Sequence, residues 1–239
     1  MGNTIVDIWV YLAASPLLAL TMTLFAFELG QRLWKRVGRP ALLNPVLVTV
    51  VLIAGVLIAT GTPYETYFEG AQFIHFLLGP ATVCLAIPLY RQFERVKANA
   101  LAIAVSLVMG SATGILGAIG AALVMGLDQI SVLSIAPKSV TAPVAMGITE
   151  KLGGLPSLTA VFVIMTGIIG AALGPVVLTI LKVKTAPARG YALGTGAHGI
   201  GTAQALQDSE VAGAFAGLAM GLNALATALL APIIVAMLL

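Results

Sequence analysis

Residues 98–127 read ANALAIAVSLVMGSATGILGAIGAALVMGL, a run in which no side chain carries a charge. A strand crossing a bilayer would show about 10 residues of alternating polarity. This run is longer and continuously apolar, so the form expected in lipid is a helix that satisfies its own backbone hydrogen bonds. Gly110, Gly114 and Gly117 within it leave room for close packing of a second helix.

Working outward, similar apolar runs lie at about residues 8–29, 45–60, 73–90, 130–149, 155–181 and 211–239, which makes seven segments. The chain is 59% hydrophobic and 9% charged, with a mean hydropathy of +1.06. A soluble domain carries about 25% charged residues, and so few charges cannot cover a water-facing surface. The expected fold is therefore an all-α polytopic membrane protein, one domain over residues 1–239, placed in the plasma (inner) membrane. The net charge of +3 comes from basic residues near segment ends, which suits membrane orientation and not nucleic-acid binding. The single cysteine, Cys84, allows no intrachain disulfide and reads as a small packing or lipid-facing residue.

Arg32, Lys35, Arg36 and Arg39 follow the first segment and predict a cytoplasmic loop, with the N-terminus outside. Asp7 and the lack of a basic stretch before that segment predict a retained helix and not a cleaved signal. Pro45 suits a helix start, and Pro63, Tyr64, Glu65, Tyr67 and Glu69 read as an outer loop. Arg91, Arg95 and Lys97 read as cytoplasmic again. Simple alternation then puts Lys182, Lys184 and Arg189 outside, against the charge rule. A broken segment that enters and leaves on one side would remove the conflict, and the glycine-rich stretch 190–202 crossing in pieces is another possibility. Three stretches are expected to be broken: 79–88, 136–143 and 194–202. An offset of 57 pairs Pro80 with Pro137, Val83 with Val140, Gly110 with Gly167 and Gly117 with Gly174. This reads either as an internal duplication or as chance matching among a few residue types. An even number of segments within the offset implies parallel copies unless a crossing is hidden.

The sharpest chemical feature is Pro137-Lys138-Ser139-Val140-Thr141-Ala142-Pro143. Two prolines remove backbone donors and free carbonyls for other partners. A lysine in such a segment costs about 3 kcal/mol at mid-membrane on insertion scales, so it should face protein or water. Lys138, Ser139 and Thr141 can offer a carboxylate one positive charge and two hydroxyls; the plainer alternative is a lysine that snorkels to an interface. Thr195, His198 and Thr202 form a second group, in which His198 could bind substrate, carry a coupling proton, or simply pack against backbone carbonyls. His75, among apolar neighbours, reads as structural. Asp208 suits the start of the last helix. Glu210 could coordinate a cation or pair with Lys138, and Asn223 could contact substrate or join helices. No phosphate loop, His-Glu-x-x-His or Cys/His metal spacing stands out, so neither an enzyme nor a metal site is expected.

Pro137–Pro143, then Gly196-Ala197-His198-Gly199-Ile200-Gly201-Thr202, then Glu210-x-x-Gly213-x-x-x-Gly217-Leu218-Ala219-Met220-Gly221-Leu222-Asn223, together resemble the LrgB/CidB family over nearly the whole chain. Ala197 stands where many bacterial members have serine, and Gln204 where several have a basic residue. The family was first described as antiholin-like regulators of murein hydrolase export and autolysis. It is also similar to the plastid glycolate/glycerate translocator, and bacterial members are linked with pyruvate uptake. The resemblance implies kinship with the cation/proton antiporter and bile-acid symporter superfamily, whose sites lie where broken helices cross. It implies an ion-coupled transporter of small monocarboxylates, with Lys138, Ser139, Thr141, His198, Thr202 and Glu210 on its motif positions; the residue reading adds Thr195 and Asn223 to the expected substrate contacts. Coupling would fall to His198 or Glu210, using a proton or Na+, with no cofactor. The alternative implied function is regulation of autolysis beside a small LrgA/CidA-type holin-like partner. A homo-oligomer in the bilayer is expected in either case.

Overall fold

Every regular element in the described residues is a helix. The computed structural model describes residues 16–38, 43, 45–84 and 86–239. Asp7, Arg39, most of the first segment's N-terminal half and the side chain of His75 lie outside the described residues. The chain falls into two compact units, Met1–Cys84 and Leu85–Leu239.

The first unit holds α1 (Pro16–Arg36), α2 (Pro45–Thr60) and α3 (Tyr64–Cys84). α1 packs on both of the others. Its Gly30 faces Pro45 and Val48, where a Cβ would lie 3.1 Å from the Pro45 carbonyl. Thr23 and Tyr67 share a hydroxyl–hydroxyl bond of 2.8 Å between α1 and α3. Residues 64–69, expected as an outer loop, instead form the first turns of α3. Glu65 there suits the positive end of the helix dipole. α3 also continues through Pro80 to Cys84.

The second unit holds α4 (Ala86–Arg91), α5 (Phe93–Ala98), α6 (Ala100–Val124), α7 (Gln129–Ile135), α8 (Ala142–Leu152), α9 (Pro156–Ile180), α10 (Ala186–Asp208) and α11 (Glu210–Leu238). Among the described residues α6, α9 and α11 are long and apolar enough to cross a membrane. Each shows large apolar side chains outward: Leu101, Val124, Ile180 and Leu225 are all exposed. Water would penalise such a surface and lipid does not. This is a membrane protein. Of the other apolar segments, the second forms a helix of 16 residues, and the third is divided between α3 and α4.

The fifth segment enters the second unit and turns back. Val132, Ala136 and Val140 pack in one cluster with Ile115, Ile119 and Ala122 of α6. α7 therefore runs back along α6 from the Gly126 turn. The helix ends at Ile135, with Ala136 as its C-cap, and a new one starts at Ala142; the residues between make only the three-residue turn bonds of Lys138 to Ile135 and Val140 to Pro137. α8 then returns: the Thr159 hydroxyl at the start of α9 donates to the Ser134 carbonyl at 2.8 Å and shares a 2.8 Å hydrogen bond with the Thr149 hydroxyl. The Leu155 amide donates to Ser134 Oγ at 2.8 Å. Before α7, Ser131 donates to Asp128 at 2.6 Å and holds that carboxyl below the ordinary aspartate range.

α10 repeats the manoeuvre from the opposite end. Its backbone leaves helical geometry at Ala197 (φ −131°) and His198 (φ 40°, ψ −128°). The two halves fold against each other, with Gly201 pressed on the Leu193 carbonyl and Leu193 clustered with Ala205. Ser209 caps α11 by accepting from the Ala212 amide at 3.1 Å. α11 then runs beside the first half of α10, where Gly190 and Gly194 touch the Ala212 and Ala216 carbonyls. Any Cβ at those two positions would occupy backbone. Since residues 129–152 enter and leave by one end, Lys182, Lys184 and Arg189 lie at the end of the unit where α6 begins, as Thr185 and Asn99 lining one cavity also shows.

Candidate functional site

The two interruptions meet at mid-length of α6, α9 and α11. Gly114 of α6 faces Ser139, where a Cβ would come 3.3 Å from the hydroxyl, and Gly110 faces the Thr195 methyl at 3.1 Å. On the other side, Gly167 and Gly170 of α9 make room for the His198 ring and Ala197. Asn223 of α11, almost wholly buried, reaches both breaks. Its amide donates to the carbonyls of Ser139 at 3.1 Å and Thr195 at 3.0 Å. Its oxygen accepts from Ser111 of α6 at 2.5 Å.

A cavity of about 840 Å³ opens onto this point from one side. It extends from Asn99 and Thr185, both exposed, past Ser106, Tyr191 and Phe215 to Gly110, Thr113, Gly114, Lys138, Ser139 and Thr195. Its walls are largely apolar, and Lys138, Ser139 and Thr195 line it where the two breaks meet. The ion pairs of the described residues are Arg32 with Glu28 and Arg91 with Glu210, so Lys138 has no acidic partner among them. The Ser139 hydroxyl makes no hydrogen bond among the described residues. Thr195 donates to the Tyr191 carbonyl at 2.9 Å and keeps its oxygen lone pairs. One ammonium and nearby hydroxyls, at the end of an apolar passage, can hold a small anion.

The structure brings Lys138, Ser139 and Thr195 together on this wall, with Asn223 directly behind them. It does not bring the remaining expected residues there. Thr141 stands at the N-terminus of α8. His198 is buried and shares a 3.0 Å hydrogen bond with the Val163 carbonyl, the plain packed-histidine arrangement. Thr202 donates to the His198 carbonyl at 2.8 Å. Glu210 does not pair with Lys138: it meets Arg91 at 3.2 Å, where both side chains are exposed. Among the described residues, no three His, Cys, Asp or Glu side chains gather as a metal set would require.

Sequence reasoning missed the α6 wall. Asn99, Ser106, Gly110 and Thr113 recur at helical spacing and would have marked a polar or small stripe on that helix. Tyr191, whose hydroxyl donates to the Ile103 carbonyl at 3.1 Å, was passed over as part of a glycine-rich stretch.

The LrgB-like family matches residues 23–237. The uncharacterized protein YwbG of Bacillus subtilis is 36% identical over 216 residues, 90% of this chain and 96% of its own. The holin-like protein CidB of Staphylococcus epidermidis is 31% identical over 225 residues, 94% and 97% of the two chains. CidB of Staphylococcus aureus is 32% identical over 225 residues, with the same coverage. No solved structure matches the chain. With its motifs lying on the two breaks and the last helix, and with the match covering most of its length, the chain belongs to the LrgB-like family.

Proposed function

We propose that this chain is a multi-pass secondary transporter of the plasma membrane that carries small monocarboxylates the size of pyruvate, glycolate or glycerate. The observation that supports this most is Lys138, a cation without an acidic partner among the described residues, at the deep end of a cavity. A carboxylate would neutralise it, and Ser139, Thr195 and Thr113 are placed to meet the remaining oxygens. Asn223 serves to hold the two breaks and not to touch substrate. The mouth of the cavity is lined by Asn99 and Thr185, close in sequence to Lys97 and Lys184, and the positive-inside rule assigns such a basic end to the cytoplasm. The coupling roles expected of His198 and Glu210 find no support in the cavity, whose lining includes neither.

The arrangement also favours an inverted repeat of the kind found in the antiporter and bile-acid symporter superfamily. α6 and α9 have 25 residues each and begin at 100 and 156. Each is followed by a segment that turns back on itself. The contact of Gly114 with Ser139 recurs as the contact of Gly170 with Ala197. The hidden element that inverts the copies is the re-entrant segment 129–152.

The names of the relatives favour a second reading more than they favour transport. CidB of two staphylococci is called holin-like, which supports an antiholin-like regulator of murein hydrolase export and autolysis. Such a regulator would work in the membrane with a small LrgA/CidA-type partner, as an oligomer. Purified protein in liposomes separates the two. Transport requires saturable uptake of labelled pyruvate or glycolate under a proton or sodium gradient, abolished by Lys138→Ala. Dye leakage without saturation indicates a pore. No flux in vesicles, together with altered murein hydrolase release in cells that hold the partner, indicates the regulator.

A further inference from the structure

We propose that Lys138 itself carries the coupling proton, so that one carboxylate and one proton cross together as a neutral pair; this deepens the transport reading and rests on it. The geometry leaves few other carriers. Lys138 and Tyr191 are the ionisable side chains lining the cavity, and the Tyr191 hydroxyl is committed to the Ile103 carbonyl. At the inner part of the cavity, α6 contributes Gly110, Thr113 and Gly114 to the lining and α10 contributes Thr195 and Gly196, with Asn223 of α11 behind Ser139. His198 is outside the cavity lining, and its ring nitrogen is engaged by the Val163 carbonyl. α9 bears no charged side chain. Asp128, Glu150, Lys151, Asp208 and Glu210 are exposed at the ends of their helices.

An unpaired ammonium at this depth is costly, and so is an unpaired carboxylate, whereas the pair or the neutral amine is far less so. Coupling follows from that difference. On one side of the membrane the protonated Nζ receives the carboxylate, and the neutral pair changes sides. The carboxylate leaves first, then Nζ gives its proton to water in the cavity. The neutral amine returns and is reprotonated. No covalent bond changes, and each cycle moves one proton, one carboxylate and no net charge. Return of the empty site with its proton still bound is the disfavoured step.

The test uses the full chain in proteoliposomes with labelled pyruvate, without sodium. Wild type, Lys138→Arg and His198→Gln are compared for pyruvate exchange at equal pH and for accumulation driven by a pH gradient. Arginine keeps its proton at every accessible pH, so Lys138→Arg should retain reduced exchange while pH-driven accumulation falls at least tenfold. His198→Gln should still accumulate. A pH-sensitive dye inside the vesicles should report about one proton per pyruvate for wild type and His198→Gln alike, which decides the matter if the arginine variant proves inactive. Accumulation by Lys138→Arg at wild-type level overturns the proposal, as does pyruvate entry without proton entry. Absence of both exchange and accumulation in wild type overturns the transport reading, and this proposal with it.

Discussion

The side-chain amide of Asn223 donates to the Ser139 carbonyl at 3.1 Å. In an unbroken helix that carbonyl would accept from the amide of residue 143, but residue 143 is proline and has no N–H. The second amide hydrogen does the same for Thr195 at 3.0 Å, whose helical partner is lost at the kink. A single buried side chain therefore satisfies one orphaned acceptor in each broken segment while Ser111 anchors its oxygen. This is the means by which irregular backbone is tolerated within a membrane protein.

Asn223→Leu removes both donors and strands the buried Thr195 carbonyl, at a cost of about 1–3 kcal/mol, together with the partly buried one of Ser139. The expected result is a clear fall in melting temperature in detergent, larger than that of Ser111→Ala, which loses one hydrogen bond worth about 1 kcal/mol. Equal melting of Asn223→Leu and wild type would show that the breaks are held some other way.

Gly190 and Gly194 lie against backbone carbonyls of α11, and backbone cannot rotate aside as a side chain can. Gly190→Ala should destabilise by about 1–3 kcal/mol or more. Gly196→Ala meets nothing within 4 Å and should fold normally. Yield of monodisperse protein and thermal unfolding compare the two.

The re-entrant course of residues 129–152 has a topological consequence. In a Cys84→Ser background, single cysteines at Lys97 and Lys184 should react with an impermeant maleimide from one side of the membrane. Cysteines at Asp128 and Lys151 should react from the other. Lys184 labelling opposite to Lys97 would mean that the segment crosses.

Much of this was legible from local chemistry. The runs at 98–127, 155–181 and 211–239 became α6, α9 and α11 with ends shifted by at most three residues, because long uncharged apolar runs have one stable form in lipid. The break expected at 136–143 and found at 136–141 was also readable, since a missing N–H is a property of the residue itself. What could not be read depends on distant residues. Glu210 pairs with Arg91, 119 positions away. The His198 ring turns to Val163 because Gly167 on another helix leaves space for it. Residues 64–69 were misread because tyrosines and glutamates suit an interfacial loop and a first helical turn equally.

The passage along α6 offers a way to close the site without touching its charge. Ser106 lines the cavity and is exposed to it, so Ser106→Trp should fill the route to Lys138. Pyruvate uptake into proteoliposomes should fall at least tenfold, with the melting temperature unchanged. Uptake at the wild-type rate would place the substrate path elsewhere.

The most direct measurement is calorimetric titration of the purified protein with pyruvate, wild type against Lys138→Ala. Saturable binding by wild type is predicted, weakened at least tenfold in the variant, which should melt at the same temperature because Lys138 has no salt bridge to lose. Equal affinity in the two proteins, or no binding by wild type, would contradict the assignment of Lys138 as the carboxylate's counter-charge.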